Sequence, residues 1–111
     1  MKKTIIIQSE FLGRGDDEIG QVIMGSFLRK LSVEANKPDL IIFFNSGVKL
    51  VAEGSPVLDG IDLLRRAGIP LLACGTCVNY YGLADKIDPE LIGDMRNIIS
   101  KLMSSDTVIT M

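Results

Sequence analysis

The chain has 111 residues, 47% of them hydrophobic and 23% charged, which suits one globular domain spanning residues 1–111 around a single core. Net charge is −2, and the basic residues Lys2-Lys3, Arg29-Lys30 and Arg65-Arg66 form isolated pairs rather than a stripe interleaved with aromatics, so nucleic acid is not an expected partner. Histidine is absent and only two cysteines occur, which excludes Ser-His-Asp and Cys-His catalysis and leaves too few thiols for a four-cysteine zinc site; neither a metal nor another cofactor is expected.

Residues 3–8, rich in isoleucine, predict a first strand. The apolar segment after Met1-Lys2-Lys3 is too short for a signal peptide, since Gln8-Ser9-Glu10 interrupts it at once. No apolar run approaches the ~20 residues that span a bilayer, so a soluble cytoplasmic protein without a membrane partner is expected. A loop containing Gly13-Arg14-Gly15-Asp16 follows, then a helix from about Asp16 to Glu34 with Asp16 or Asp17 as N-cap. Ile19, Val22, Ile23, Phe27 and Leu31 recur at helical spacing and are the predicted core face, while Gly20 and Gly25 permit a neighbour to approach closely.

After the turn Asn36-Lys37-Pro38, the continuous apolar run Asp39–Phe44 predicts a strand covered on both faces, ending in the turn formers Asn45-Ser46-Gly47. Ser55-Pro56 reads as an N-cap with proline at the first helical position. Val57, Ile61 and Leu64 give that helix its stripe, and Gly68 stops it. Leu71–Cys74, bounded by Pro70 and Gly75, is too short for a helix and predicts a buried strand. Asp88-Pro89 repeats the cap-and-proline signal and predicts a helix to about Ser104, and Thr107–Thr110 closes the chain as a strand. Alternating strands and helices predict a three-layer α/β/α fold with a mainly parallel sheet of four to five strands.

In a parallel sheet the loops after the first three strands emerge at the carboxyl edge, where ligands bind. The predicted site therefore gathers Gly13 and Arg14, Asn45, and the segment Cys74-Gly75-Thr76-Cys77, with Tyr80 and Tyr81 just beyond it. Gly13-Arg14-Gly15 lacks the residues of a phosphate loop and reads first as a turn, though Arg14 is a cation free to face a thiolate. For Asn45 a role in orienting its own loop stands slightly ahead of ligand contact. One tyrosine is expected in the core and the other on a pocket wall. Cys-x-x-Cys in a reducing compartment points to redox, sulfur or metal chemistry, against a plainer reading as two small buried hydrophobes. A cysteine at a strand-to-helix junction meets outward-pointing amides that favour the thiolate. Either cysteine is a candidate nucleophile, with the other resolving or assisting.

The segment ACGTCVNYYGLADK, together with GRGDDEIGQVIMGSF, IIFFNSGVKLVAEGSPVLDGI and the tail IGDMRNIISKL…DTVITM, resembles the DsrE/DsrF-like family, nearest the C-terminal DsrE-like domain of YedF-type proteins named for sulfurtransfer and selenium metabolism. The resemblance implies a three-layer α/β fold with a parallel sheet, homo-oligomers, and a cysteine that carries sulfur as a persulfide. It puts Cys74 on the family's strand-end position and makes Cys77 an addition. YedF-type proteins carry an N-terminal TusA-like domain with its own cysteine, which these residues do not include. A TusA-like sulfur-carrier domain or a cysteine desulfurase is thus an implied partner.

Three functions remain open on these readings. The first is a sulfur or selenium carrier, sulfurtransferase-like, in which Cys74 holds a persulfide that Cys77 resolves. The second is a thiol-disulfide switch, and the third a non-enzymatic oligomeric module that binds a small ligand. The mean hydropathy of +0.31 in so short a chain adds to the expectation of a homo-oligomer, since it leaves more apolar surface than one small core needs.

Overall fold

The computed structural model describes all residues, Met1–Met111. Five strands form one all-parallel sheet: β1 (Lys3–Ile7), β2 (Leu40–Phe43), β3 (Leu71–Cys74), β4 (Ile92–Gly93) and β5 (Thr107–Thr110), in the order β4-β3-β2-β1-β5. The intervening α-helices are α1 (Asp17–Ser32), α2 (Leu58–Arg66), α3 (Gly75–Tyr80) and α4 (Met95–Met103), with 3-10 turns at Asn45–Val51 and Pro89–Leu91. The expected α/β fold with a parallel sheet is the observed one.

The strand order dictates the layers. From β1 through β4 the chain steps in one direction, so right-handed crossovers put α1 and α2 on one face. The step from β4 back to β5 runs the other way and puts α4 on the opposite face. Register then assigns side chains: Ile5, Ile41 and Leu71 are aligned, as are Ile7, Phe43 and Ala73, and these face α1 and α2 in the main core. Between them, Ile42, Leu72 and Cys74 point to the other face, where Ile98 of α4 completes a smaller cluster. At about 1.5–3 kcal/mol for each fully buried aliphatic side chain, the larger cluster supplies most of the fold's stabilisation. α4, with the buried Ile98, covers its face thinly.

Three expectations change. In α1 the buried positions are Gly20, Met24, Gly25, Leu28 and Ser32, whereas Ile19, Val22 and Ile23 are exposed. Apolar residues occupy more than half of this helix's circumference, so spacing alone admits two faces, and the glycines decide between them. A Cβ at Gly60 of α2 would stand 3.0 Å from the Cβ of Leu28, which shows how closely the two helices meet on the buried side. Ser55-Pro56 does not cap α2 directly; the Ser55 hydroxyl accepts from the Val57 N–H at 3.3 Å, and the helix begins at Leu58. Asp88 caps only the 3-10 turn. The last helix is capped by Asp94, whose carboxylate accepts from Asn97 N–H at 2.8 Å, and the two-residue strand β4 lies between. Gly68 does end α2, with φ +80°. No helix is long and apolar enough to cross a membrane.

Candidate functional site

β3 ends on Cys74, and α3 starts at the next residue with Cys74 as its N-cap. The abrupt change of direction brings Gly75 against β4, where an added Cβ would stand 3.3 Å from the Gly93 carbonyl oxygen. Cys77 falls at the third position of the helix. Cap and third positions face each other across the first turn, the relationship that a capping box uses. The two free thiols thus stand as neighbours. They differ in access: Cys74 is 2% exposed under α4, and Cys77 is half-buried.

The loop after β2 supplies the donor. Asn45 begins the 3-10 turn with φ 51°, the only non-glycine residue with positive φ, a left-handed conformation that asparagine tolerates better than most. In it the Asn45 backbone N–H points at the Cys77 sulfur, 3.1 Å away. Its side-chain oxygen accepts from the Ser46 N–H at 2.8 Å and from the Tyr81 hydroxyl at 2.8 Å, so the carboxamide is held from two sides. Lys49 lies over the Tyr81 ring at 4.6 Å and pairs with Glu10 at 3.4 Å. Glu10 N–H in turn donates to the Ser46 hydroxyl at 3.2 Å. Three carboxyl-edge segments are thereby joined.

Burial pushes the Cys77 thiol above its ordinary pKa; the Asn45 N–H pulls it back, and the adjacent Cys74 thiol adds to the upward shift. The expectation that the strand-to-helix junction favours the thiolate is not met at Cys77, because desolvation outweighs the single amide donor.

Of the predicted site residues, Cys74, Gly75, Cys77 and Asn45 come together. Thr76 is exposed beside them. Gly13 and Arg14 do not join them: no hydrogen bond or ion pair links either to the cysteine loop, and Gly13, with φ +82° and open space where a Cβ would stand, serves the turn into α1. The first loop contributes Glu10 instead. Tyr80 is 82% exposed, and its ring meets Tyr81 edge-on at 5.1 Å; Tyr81 is the tyrosine that touches the site. Lys49 and Glu10 carried no motif, and Ser46 stood out only as part of the turn-former cluster after β2. No group of three or more cysteine or carboxylate side chains gathers to hold a metal. A recess of about 240 Å³ opens at the other end of the sheet, between α4 and the strand starts, lined by Lys2, Asp39, Pro70 and Lys101 but by neither cysteine.

The sequence matches no protein-family model and no curated protein. Solved structures share the fold. The ychN protein from E. coli superposes with TM-score 0.68 at 16% identity over 100% of both chains. A conserved protein of unknown function from Bacteroides thetaiotaomicron gives 0.68 at 18% identity, over 99% of this chain and 95% of that one. A protein of unknown function from Methanobacterium thermoautotrophicum gives 0.70 at 16% identity, over 99% and 98%. At these identities the likeness is one of fold.

Proposed function

We propose that this protein is a sulfur or selenium carrier of the DsrE-like kind, working by thiol exchange between Cys77 and Cys74. The observation that carries the reading is the unequal pair: a half-buried Cys77 whose sulfur accepts the Asn45 N–H at 3.1 Å, beside a buried Cys74. A donor persulfide reaches Cys77 first. The first attack therefore goes to Cys77 rather than to Cys74, the position that the family resemblance implies.

Cys77 releases its proton to solvent, and its thiolate attacks the outer sulfur of the donor persulfide, forming a new S–S bond. The donor's S–S bond breaks, and its thiolate leaves with the electron pair. The Asn45 N–H donates to the Cys77 sulfur. An acceptor thiol can then take the outer sulfur from Cys77. Alternatively the Cys74 thiolate attacks the Cys77 sulfur, expels hydrosulfide and leaves a Cys74–Cys77 disulfide, which an external dithiol must reduce before the next cycle. A protein-borne persulfide, from a cysteine desulfurase or a TusA-like carrier, is the donor class that this reading assigns to the half-buried Cys77.

A second reading, a thiol-disulfide switch, draws on the cap and third-position geometry of the pair, which serves dithiol oxidation equally. Intact mass separates the two. After reduction and exposure to a desulfurase sulfur source, Cys74→Ser is expected to gain one sulfur and keep it, and Cys77→Ser to gain none. Loading that vanishes in Cys74→Ser instead would overturn the order of attack. A wild type that loses two hydrogens to an oxidant alone, with no sulfur gained by Cys74→Ser from the desulfurase source, would favour the switch.

A further inference from the structure

Helix α1 carries two apolar faces, and the core uses only one. On the outer side Ile19, Val22 and Ile23 are 55%, 59% and 39% exposed, and Val33 just past the helix end is 79% exposed. Ile19, Val22, Ile23 and Ser26 follow the i, i+3, i+4, i+7 spacing of a single helix face. A surface helix ordinarily covers its outer face with charge. Here the ten residues from Ile19 to Leu28 include none. The charges of α1 are sorted to its ends: Asp16, Asp17 and Glu18 at the start, Arg29 and Lys30 in the last turn. Glu18 and Lys30 have no ion pair within the chain, and Arg29 reaches only Asp59, at 3.6 Å.

We propose that the outer face of α1 is a self-association surface that packs against α1 of a second copy about a two-fold axis. A two-fold perpendicular to the helix runs the pair antiparallel, so a single patch meets itself. The acidic first turn of each copy then faces the basic last turn of the other, at both ends at once, and the apolar stretches meet in the middle. The helix dipoles also oppose favourably. A parallel pairing stacks like charges and is rejected by the same pattern. A second copy is the one occupant whose charge arrangement this helix itself specifies. The surface includes no residue of the cysteine site, so it stands or falls apart from the sulfur-carrier reading.

Sedimentation of the full chain tests it. The wild type is expected at twice the monomer mass or an even multiple of it, and Ile19→Glu/Val22→Glu at half the wild-type mass with an unchanged circular dichroism spectrum. Lys30→Glu sets like charges opposite Glu18 of the second copy and is expected to weaken association on the order of tenfold. Glu18→Lys combined with Lys30→Glu restores the complementarity and most of the affinity. A monomeric wild type at high micromolar concentration, an assembly indifferent to Ile19→Glu/Val22→Glu, or a double charge exchange no stronger than Lys30→Glu alone would each overturn the proposal.

Discussion

The backbone N–H of Asn45 and the sulfur of Cys77 lie 3.1 Å apart, although 31 residues separate them in the sequence. Neither residue creates this contact by itself. β2 and β3 are adjacent and in parallel register, with Phe43 opposite Ala73, so the residues just past the two strand ends emerge side by side. The Asn45 amide belongs to the peptide after the extended Phe44, with ψ 159°, and leaves β2 toward α3. The left-handed φ of Asn45 turns the chain behind it into the 3-10 segment. The site is therefore a product of strand register and one unusual φ.

Asn45 is accordingly expected to be sensitive to charge and conformation in different ways. Asn45→Asp keeps the shape, the left-handed tolerance and an acceptor for Ser46 and Tyr81, but sets a negative charge beside Cys77. It should push the Cys77 thiol further up and slow its alkylation at neutral pH, with melting temperature little changed. Asn45→Ala places a Cβ-bearing residue of low left-handed tolerance at φ 51°, at a cost of about 1–2 kcal/mol, and removes two hydrogen bonds worth about 1 kcal/mol each. It should therefore lower stability, while Asn45→Gly, which relieves the conformational cost, should lose less. Equal destabilisation by alanine and glycine would count against the conformational account.

Burial raises the Cys77 pKa, and this fixes the sign of two pH effects. Alkylation by iodoacetamide should climb to an inflection above that of an ordinary thiol, near 8.5. Cys74→Ala removes a neighbour that raises Cys77 and should move the inflection down. For stability, a thiol whose folded pKa lies above its unfolded value holds its proton more tightly when folded. Its contribution is fully present below the unfolded pKa and is lost as pH rises through the folded one. Reduced protein should thus weaken in the alkaline range, and Cys77→Ser should show a smaller alkaline loss. An inflection below that of a free thiol contradicts the assignment.

The strands were legible because their signals were local: short apolar or β-branched runs next to turn formers bounded β1, β2, β3 and β5 to within a residue or two. β4 was not, since Ile92-Gly93 is too short to carry a period, and its glycine is explained by side chains distant in sequence or on the next helix: Leu72 Cδ1 would lie 2.5 Å and Asn97 Nδ2 3.2 Å from an added Cβ. At the site, the cysteines and Asn45 could be read from type and spacing. Tyr81 could not be told from Tyr80, because a helix of six residues lacks the turns needed to show which side faces the protein. Arg14 drew notice as a cation in the right loop, but that loop is committed to starting α1, with Leu12 N–H donating to the Gly20 carbonyl at 3.1 Å.

The two faces of α1 should separate cleanly in stability measurements. Met24 and Leu28 are 1% and 0% exposed, and truncation of either to alanine should cost about 2–5 kcal/mol through lost burial and a residual cavity. Ile19→Ala and Val22→Ala remove exposed groups and should change the stability of the dissociated chain by about 0.5 kcal/mol or less. Chemical denaturation at low protein concentration checks this, since dilution removes any contribution from self-association. A large cost at Val22 under dilution would mean that this face is covered within the chain itself.

Gly47 is the position where a single methyl group should do most harm to the site. An added Cβ would stand 2.5 Å from the carbonyl oxygen of Ile7 and 3.2 Å from its carbon, both backbone atoms at the end of a strand held between β2 and β5. That oxygen already accepts from Phe44 N–H at 3.0 Å, so it cannot withdraw without loosening the start of the loop that carries Asn45. Neither partner is a flexible side chain. Gly47→Ala is therefore expected to cost about 1–3 kcal/mol, lowering the melting temperature by roughly 10 °C for a domain of this size. The strain falls two residues from Asn45, so the contact to Cys77 should loosen too and the pH profile of Cys77 alkylation should move upward. Gly54→Ala provides the comparison: its φ of +86° is strained for alanine, but an added Cβ there meets nothing within 4 Å, and Cys77 should not respond. A Gly47→Ala protein that is destabilised yet keeps the wild-type alkylation profile would show that the amide donor is held by Tyr81 and Ser46 rather than by the path of the chain.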